Sequence, residues 1–299
     1  MKKYSLLFIV LLTSLFSWSN NIKGGLEHYN VIWNTPSRNA LESMPCGGGD
    51  IGMNVWVENG DLLVYLSRSG TFDELNSFPK LGRLRISLDP NPFLEYQDFK
   101  QELKLEEGEV DIQAQKKGMS VKINVWADIF HPVSHINIES NKPLTVYAAY
   151  ENWRFEDRVL TENEKEVCRT YKGAPSKAVV RRDSVRFEKD GVLFYHRNFG
   201  ETAFDVAVRQ QKLEGVKNRL WNPLSGIMYG GRLSGDNMKI YDQVSGRYAS
   251  TDFRAWRLKS VSPALKHHIQ VAYHTEQVAS EEEWLSDLKT LETEVRGKV

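Results

Sequence analysis

From Met119 to Trp126 the side chains alternate without a break. Met119, Val121, Ile123 and Val125 fall on one side, and Ser120, Lys122, Asn124 and Trp126 on the other. A two-residue period is that of a β-strand with one face in a core. The same period returns near the C-terminus, where Leu265, Ile269, Val271 and Tyr273 are the apolar members. Shorter β-rich runs predict strands over 29–33, 51–57, 62–66, 81–88, 99–105, 110–115, 133–139, 144–150, 184–187, 192–197, 204–210, 226–233 and 254–258, about fifteen in all. Turn chemistry separates them. Asn59-Gly60 sits between two β-rich runs and predicts a type I′ hairpin, because both central residues of that turn need positive φ. Glu106-Glu107-Gly108 marks a second hairpin, and Asp89-Pro90-Asn91-Pro92 stops a strand by removing ladder donors.

Two stretches depart from this rhythm. The segment 152–175 is charged, weakly periodic and long for a loop, a length that usually serves function or motion. Beyond 278 the period changes. Ser280-x-x-Glu283 is a capping box, and Trp284, Leu288, Leu291 and Val295 form one helical stripe. So many short antiparallel strands exceed an immunoglobulin-size sandwich. They predict an all-β fold, a large two-sheet antiparallel supersandwich with a C-terminal amphipathic helix. The expected layout is a signal peptide over 1–19, a β-supersandwich domain over 20–277 and a helical linker over 278–299. The apolar stripe of that helix is expected to stay uncovered in the isolated chain and to drive self-association, which deleting 280–299 would relieve.

The glycines ahead of the first hairpin carry a resemblance. Pro45-Cys46-Gly47-Gly48-Gly49-Asp50-Ile51-Gly52 implies backbone packed close to a neighbour or held where a Cβ would clash. Its Pro-x-Gly-x-Gly-x-x-Gly spacing, leading into a hairpin, resembles the start of the N-terminal β-sandwich of family 95 glycoside hydrolases, the α-L-fucosidase type. Tyr65-Leu66-Ser67-Arg68-Ser69 and Leu81-Gly82-Arg83-Leu84-Arg85 through Leu88-Asp89-Pro90-Asn91-Pro92-Phe93 resemble more closely a related family, domain of unknown function 5703, N-terminal part. Glu151-Asn152-Trp153-Arg154, Asn222-Pro223-Leu224 and Tyr229-Gly230-Gly231 are similar to its later blocks. The resemblance implies a galactose-mutarotase-like sandwich that precedes an (α/α) six-hairpin barrel. In the fucosidase-type relatives that barrel carries the catalytic acids. It therefore transfers no catalytic residue to this chain, and implies a barrel partner in a longer protein.

Composition narrows the partners. Of 299 residues, 41% are hydrophobic and 26% charged, enough for a core and too apolar for disorder. Lys+Arg and Asp+Glu are 39 each; without Lys2 and Lys3 the balance is 37 to 39. That balance argues against nucleic acid or an anionic membrane surface as the main partner. Lys2-Lys3, the apolar run 6–16 and Ser17-x-Ser19 read as a secretory signal peptide, too short to span a bilayer. The mature protein is expected in the periplasm or outside the cell. Cys46 and Cys168 are the two cysteines, read as buried thiols with pairing left open.

Candidate chemistry is sparse. The glycines precede a strand rather than a helix, which excludes a dinucleotide loop, and no Gly-x-Ser-x-Gly elbow exists. Asp128, His131 and His135 have metal-like residue types, as do His267, His268 and His274, but solvated or hydrogen-bonded roles fit both sets better. No metal and no cofactor is expected. Glycoside hydrolysis needs two carboxylates across a sugar, and Asp73, Glu74, Glu151 and Asp157 lie in or beside loops. Trp153 and Arg154 pair an aromatic face with a guanidinium, the groups that stack a sugar and hold its hydroxyls. Their competing reading is a core Trp with Arg154 paired to Glu151. The candidate substrate-binding residues are Trp153, Arg154, Glu151, Arg68 and Asp73, with carbohydrate as the ligand; Arg68 equally suits an edge strand that blocks aggregation. Three readings follow: the sandwich of a glycoside-hydrolase-like protein without the barrel, a free-standing glycan-binding module, and an epimerase-like sandwich with its own acid and base.

Overall fold

The computed structural model describes residues 25–167 and 177–295. The leader at 1–19 and Cys168 lie outside them. Seventeen strands run in chain order: β1 Val31–Trp33, β2 Met44–Gly48, β3 Ile51–Glu58, β4 Asp61–Arg68, β5 Gly82–Asp89, β6 Asp98–Lys104, β7 Glu109–Lys116, β8 Met119–Ala127, β9 Val133–Asn152, β10 Arg158–Val159, β11 Val179–Val180, β12 Ser184–Glu188, β13 Gly191–Arg197, β14 Ile227–Gly235, β15 Met238–Tyr248, β16 Thr251–Ser260 and β17 Ala264–Gln277. Among the described residues the α-helices are α1 Glu162–Val167, α2 Ala203–Gln210 and α3 Glu281–Val295.

Fifteen of the strands form two antiparallel layers that share one member. The first layer has the order β1-β6-β7-β8-β9-β17-β14-β13-β12. The second runs β2-β3-β4-β5-β9-β16-β15. The shared strand is β9. Its first part pairs with β8 and β17, and 145–152 pair with β5 and β16. Sequence separates β9 into two strands at Asn141-Lys142-Pro143; the chain instead passes from one sheet to the other there, exposed and without a turn. The alternating faces of both layers meet in one core, which includes Val55, Val64, Ile86, Ile112, Ile123, Val146, Tyr229 and Val271, each at most 1% exposed.

Local chemistry explains the main turns. Asn59 and Gly60 have φ of 51° and 87°, and Glu58 faces Asp61 across a two-residue hairpin. Gly47 lies on β2, itself absent from the sequence reading, and a Cβ there would come within 2.4 Å of the Ile51 carbonyl oxygen. The glycines thus permit close backbone approach between β2 and β3.

Three further elements correct the sequence reading. Residues 204–210 are helical, not a strand. Thr202 and Asp205 cap α2 reciprocally, and its Ala203 and Val206 pack into the core. β15 follows as an edge strand, largely exposed and paired only to β16, so it lacks the half-buried alternation that betrays a strand. Finally, the stripe of α3 is covered. Trp284, Leu288 and Val295 are at most 2% exposed and pack with Val133, Leu193, Tyr195, Met228 and Ala272 on the outer face of the first sheet. The expected self-association through that stripe loses its basis, because the sheet supplies a matching apolar patch.

Candidate functional site

The second sheet turns one face to the core and the other outward. On β5, Leu84, Ile86 and Leu88 are buried in the core while Arg83, Arg85 and Ser87 alternate with them. Strand register sets Asn54, Tyr65, Arg83 and Glu151 side by side across β3, β4, β5 and β9. This row is the floor of a cleft. Glu151 is 1% exposed and receives Arg83 Nε at 2.6 Å and Arg85 Nε at 2.6 Å. Arg85 also donates to Asp61 at 2.8 Å, and Asp61 receives Ser87 Oγ at 2.6 Å. The Arg83 guanidinium, 2% exposed, lies 3.9 Å from the Tyr248 ring centre and 5.5 Å from that of Phe253. Tyr248 is fixed in turn: its hydroxyl donates to Glu58 at 2.7 Å, which also receives the Trp56 indole N–H at 2.8 Å.

Above this floor, Tyr65, Trp153, Tyr248, Phe253, Lys80 and Arg83 line a depression of about 240 Å3. Trp153 stands edge-on to Tyr65, with ring centres 6.0 Å apart. Lys80 Nζ lies 3.7 Å from the Tyr65 ring centre. Aromatic walls over a rigid, internally neutralised polar floor suit a ligand with one apolar face and several hydroxyls. The cleft holds no pair of open carboxylates among the described residues, since Glu151 and Glu58 are buried and engaged by donors.

The chain reverses direction of projection at each residue from 151 to 154. Glu151 and Trp153 face the cleft; Asn152 and Arg154 face the interior. Arg154, 8% exposed, donates to Asp183 Oδ2 at 2.9 and 3.1 Å, and Asn152 donates to the same oxygen at 2.6 Å. Asp183 Oδ1 lies 3.0 Å from His196 Nδ1, and Glu74 Oε2 lies 3.1 Å from His196 Nε2. Both ring nitrogens therefore meet carboxylate oxygens, which makes the ring an imidazolium. Burial opposes that charge, but hydrogen bonds and charge from Asp183 and Glu74 outweigh it and raise the His196 pKa to about 9. Burial likewise works against Asp183, yet Arg154 and His196 hold its carboxyl below the usual range. Glu74 also receives the Phe199 N–H at 3.1 Å, and its carbonyl receives the Ala203 N–H at 2.7 Å. The cluster ties the 69–81 loop to the first sheet and to α2. His196 and Glu74 side chains are 1% and 4% exposed, which leaves no access for a substrate.

The remaining candidates lie elsewhere. Asp73 is buried beside Glu74; burial pushes its carboxyl up, and Oδ1 receives the Leu75 and Ser77 N–H groups. Arg68 ends β4 with Asp50 at 3.5 Å. Of the five residues, only Glu151 and Trp153 come together at the cleft. Asp128 bonds His131 at 2.8 Å, while His135 stacks on Trp126 and bonds His268 at 2.9 Å. His274, Glu276 and Asp287 place ligand atoms within 4.8 Å of one another, where α3 meets β17. The charge of Arg68 nearby opposes a cation there. Cys46 is a buried free thiol, pushed up to about 11 by burial. Sequence reasoning missed Tyr65, Lys80, Arg83, Tyr248 and Phe253. The signal for Tyr65 and Arg83 was the polar side of the β4–β5 alternation; Lys80 lies in the loop between those strands, and for Tyr248 and Phe253 there was none without the β15–β16 pairing.

With this geometry in hand, the comparisons define the class. The chain belongs to the family described as "Domain of unknown function (DUF5703)", whose N-terminal model matches residues 32–298. No curated protein matches. Among solved structures, a putative kojibiose phosphorylase from human microbiome is 9% identical with a TM-score of 0.39, over 88% of this chain and 35% of that one. A bacterial glucoamylase complexed with acarbose is 10% identical with a TM-score of 0.38, over 88% of this chain and 39% of that one. The chain thus spans well under half the length of these two structures. No helix among the described residues is long and apolar enough to cross a membrane.

Proposed function

We propose that this chain is a carbohydrate-recognising β-sandwich of a glycoside-hydrolase-like protein related to family 95, exported by its 1–19 leader, with catalytic acids on a companion (α/α) barrel. The supporting observation is the cleft: Tyr65, Trp153, Tyr248 and Phe253 over an Arg83–Glu151 floor. The sugar stacks on the rings, and the paired floor keeps them in place without supplying an open acid. Two open carboxylates are what hydrolysis needs, so the sandwich binds and does not cleave. The epimerase-like reading needs a His and a carboxylate converging in the cleft; the cleft is lined by no His among the described residues, and the His196 cluster with Glu74 and Asp183 is enclosed.

The test is Trp153→Ala, screened on a glycan array and in a thermal melt. Binding should be lost while stability falls by about 0.5–1.5 kcal/mol, the scale of one aromatic pair. A loss of ~3–5 kcal/mol would mark the ring as core and sink the ligand role.

A further inference from the structure

The aromatic cleft does not end at Tyr65. A second depression of about 530 Å3 adjoins it, with Asn54, Ser67, Gly52 and Phe78 among its lining residues. Tyr65 and Lys80 line both, so they form the ridge between them. Each side offers a ring to stack on: Trp153 and Tyr248 on one, Phe78, 53% exposed, on the other. The larger side adds the amide of Asn54 and the hydroxyl of Ser67. Two unequal, contiguous depressions with a shared wall are the shape of adjacent sites for linked rings.

Charge distinguishes what sits on the ridge. Arg83 and Arg85 are neutralised by Glu151 and Asp61. Glu58 is held by Trp56 and Tyr248. Among the described residues Lys80 has no carboxylate partner; its contact is the Tyr65 ring. Partial burial pushes the Lys80 pKa down, so its ammonium is short of solvation and gains from an anion. The loop that carries it is fixed at Glu74 by His196 and α2.

We propose that the two depressions take neighbouring rings of an acidic saccharide chain, with an anionic substituent of the sugar, a carboxylate or a sulfate ester, seated against Lys80. This rests on the carbohydrate reading above and adds the chain, the charge and the residue that selects it.

The probes for calorimetric titration of the full chain are trigalacturonate, its methyl ester, galacturonate monomer, a sulfated galactan oligosaccharide and its desulfated form. The methyl ester keeps the rings and removes the charge. Trigalacturonate or the sulfated oligosaccharide should bind about five- to tenfold tighter than its neutral counterpart, the scale of one partly desolvated ion pair. The preference should shrink with salt. The carboxylate and sulfate arms decide which anion is meant. Lys80→Met should abolish the preference, read as the ratio of charged to neutral affinity, whatever it does to neutral binding; Lys80→Arg should restore it. Trimer should exceed monomer. Equal binding of charged and neutral forms, or a preference that survives Lys80→Met, overturns the proposal while the carbohydrate reading stands. Binding of none of the probes, together with an empty glycan array, overturns both.

Discussion

His196 is the residue on which pH should act most. Its ring is charged in the fold, with a pKa near 9 against an ordinary value near 6.5. A raised folded pKa gives stability that is full below pH 6.5 and is lost as pH rises towards 9. The melting temperature should therefore drop by roughly 5–10 °C between pH 6.5 and 9.5. His196→Gln should melt lower at pH 6.5 and show no such slope. A wild-type melting temperature flat across that range would contradict the buried imidazolium. The sequence reading singled out Glu74 and Arg154 for other roles and passed over Asp183 and His196, because the four are scattered over more than a hundred positions and only the fold brings them together.

At the level of the element, α3 is the clearest case of a feature half legible. The stripe of Trp284, Leu288, Leu291 and Val295 could be read; the patch that receives it could not, since Val133, Leu193, Met228 and Ala272 come from four strands. Trp284 is 0% exposed, so Trp284→Ala should cost about 3–5 kcal/mol, seen as a lower denaturant midpoint. Removing 281–295 should leave a sheet face bare and raise aggregation in size-exclusion chromatography, the opposite of the relief that an uncovered helix would give. A monodisperse, fully stable truncation would count against the docked helix. The other misread elements have physical causes as well. Val206 and Val208 gave α2 a strand-like look, while the decisive feature was the Thr202–Asp205 cap. β15 hid because exposed edge strands have no buried face to alternate with.

For the whole molecule, strand period and turn chemistry were enough for an all-β, two-sheet antiparallel fold. They could not give the cleft, which depends on register: Tyr65, Arg83 and Glu151 become neighbours only when three strands are laid side by side. The shared strand β9 also makes the two layers one cooperative unit, since neither sheet can come apart without losing pairing in the other. Unfolding in urea should give coincident transitions by tryptophan fluorescence and far-ultraviolet circular dichroism. Two separated transitions would show that the layers unfold independently.

The alternation at 151–154 has an evolutionary consequence. From 145 to 154 the odd positions, Glu151 and Trp153 among them, turn to the cleft side, while the even ones carry Val146, Ala148 and Tyr150 into the core and then Asn152 and Arg154 onto Asp183. A single inserted or deleted residue in 145–152 would send Arg154 to the open face and Trp153 inward, and would break both the Glu151 and Asp183 pairings together. Descendants of this chain can vary length freely in the exposed loops, but in this strand only substitutions are survivable. Binding specificity here should drift one side chain at a time.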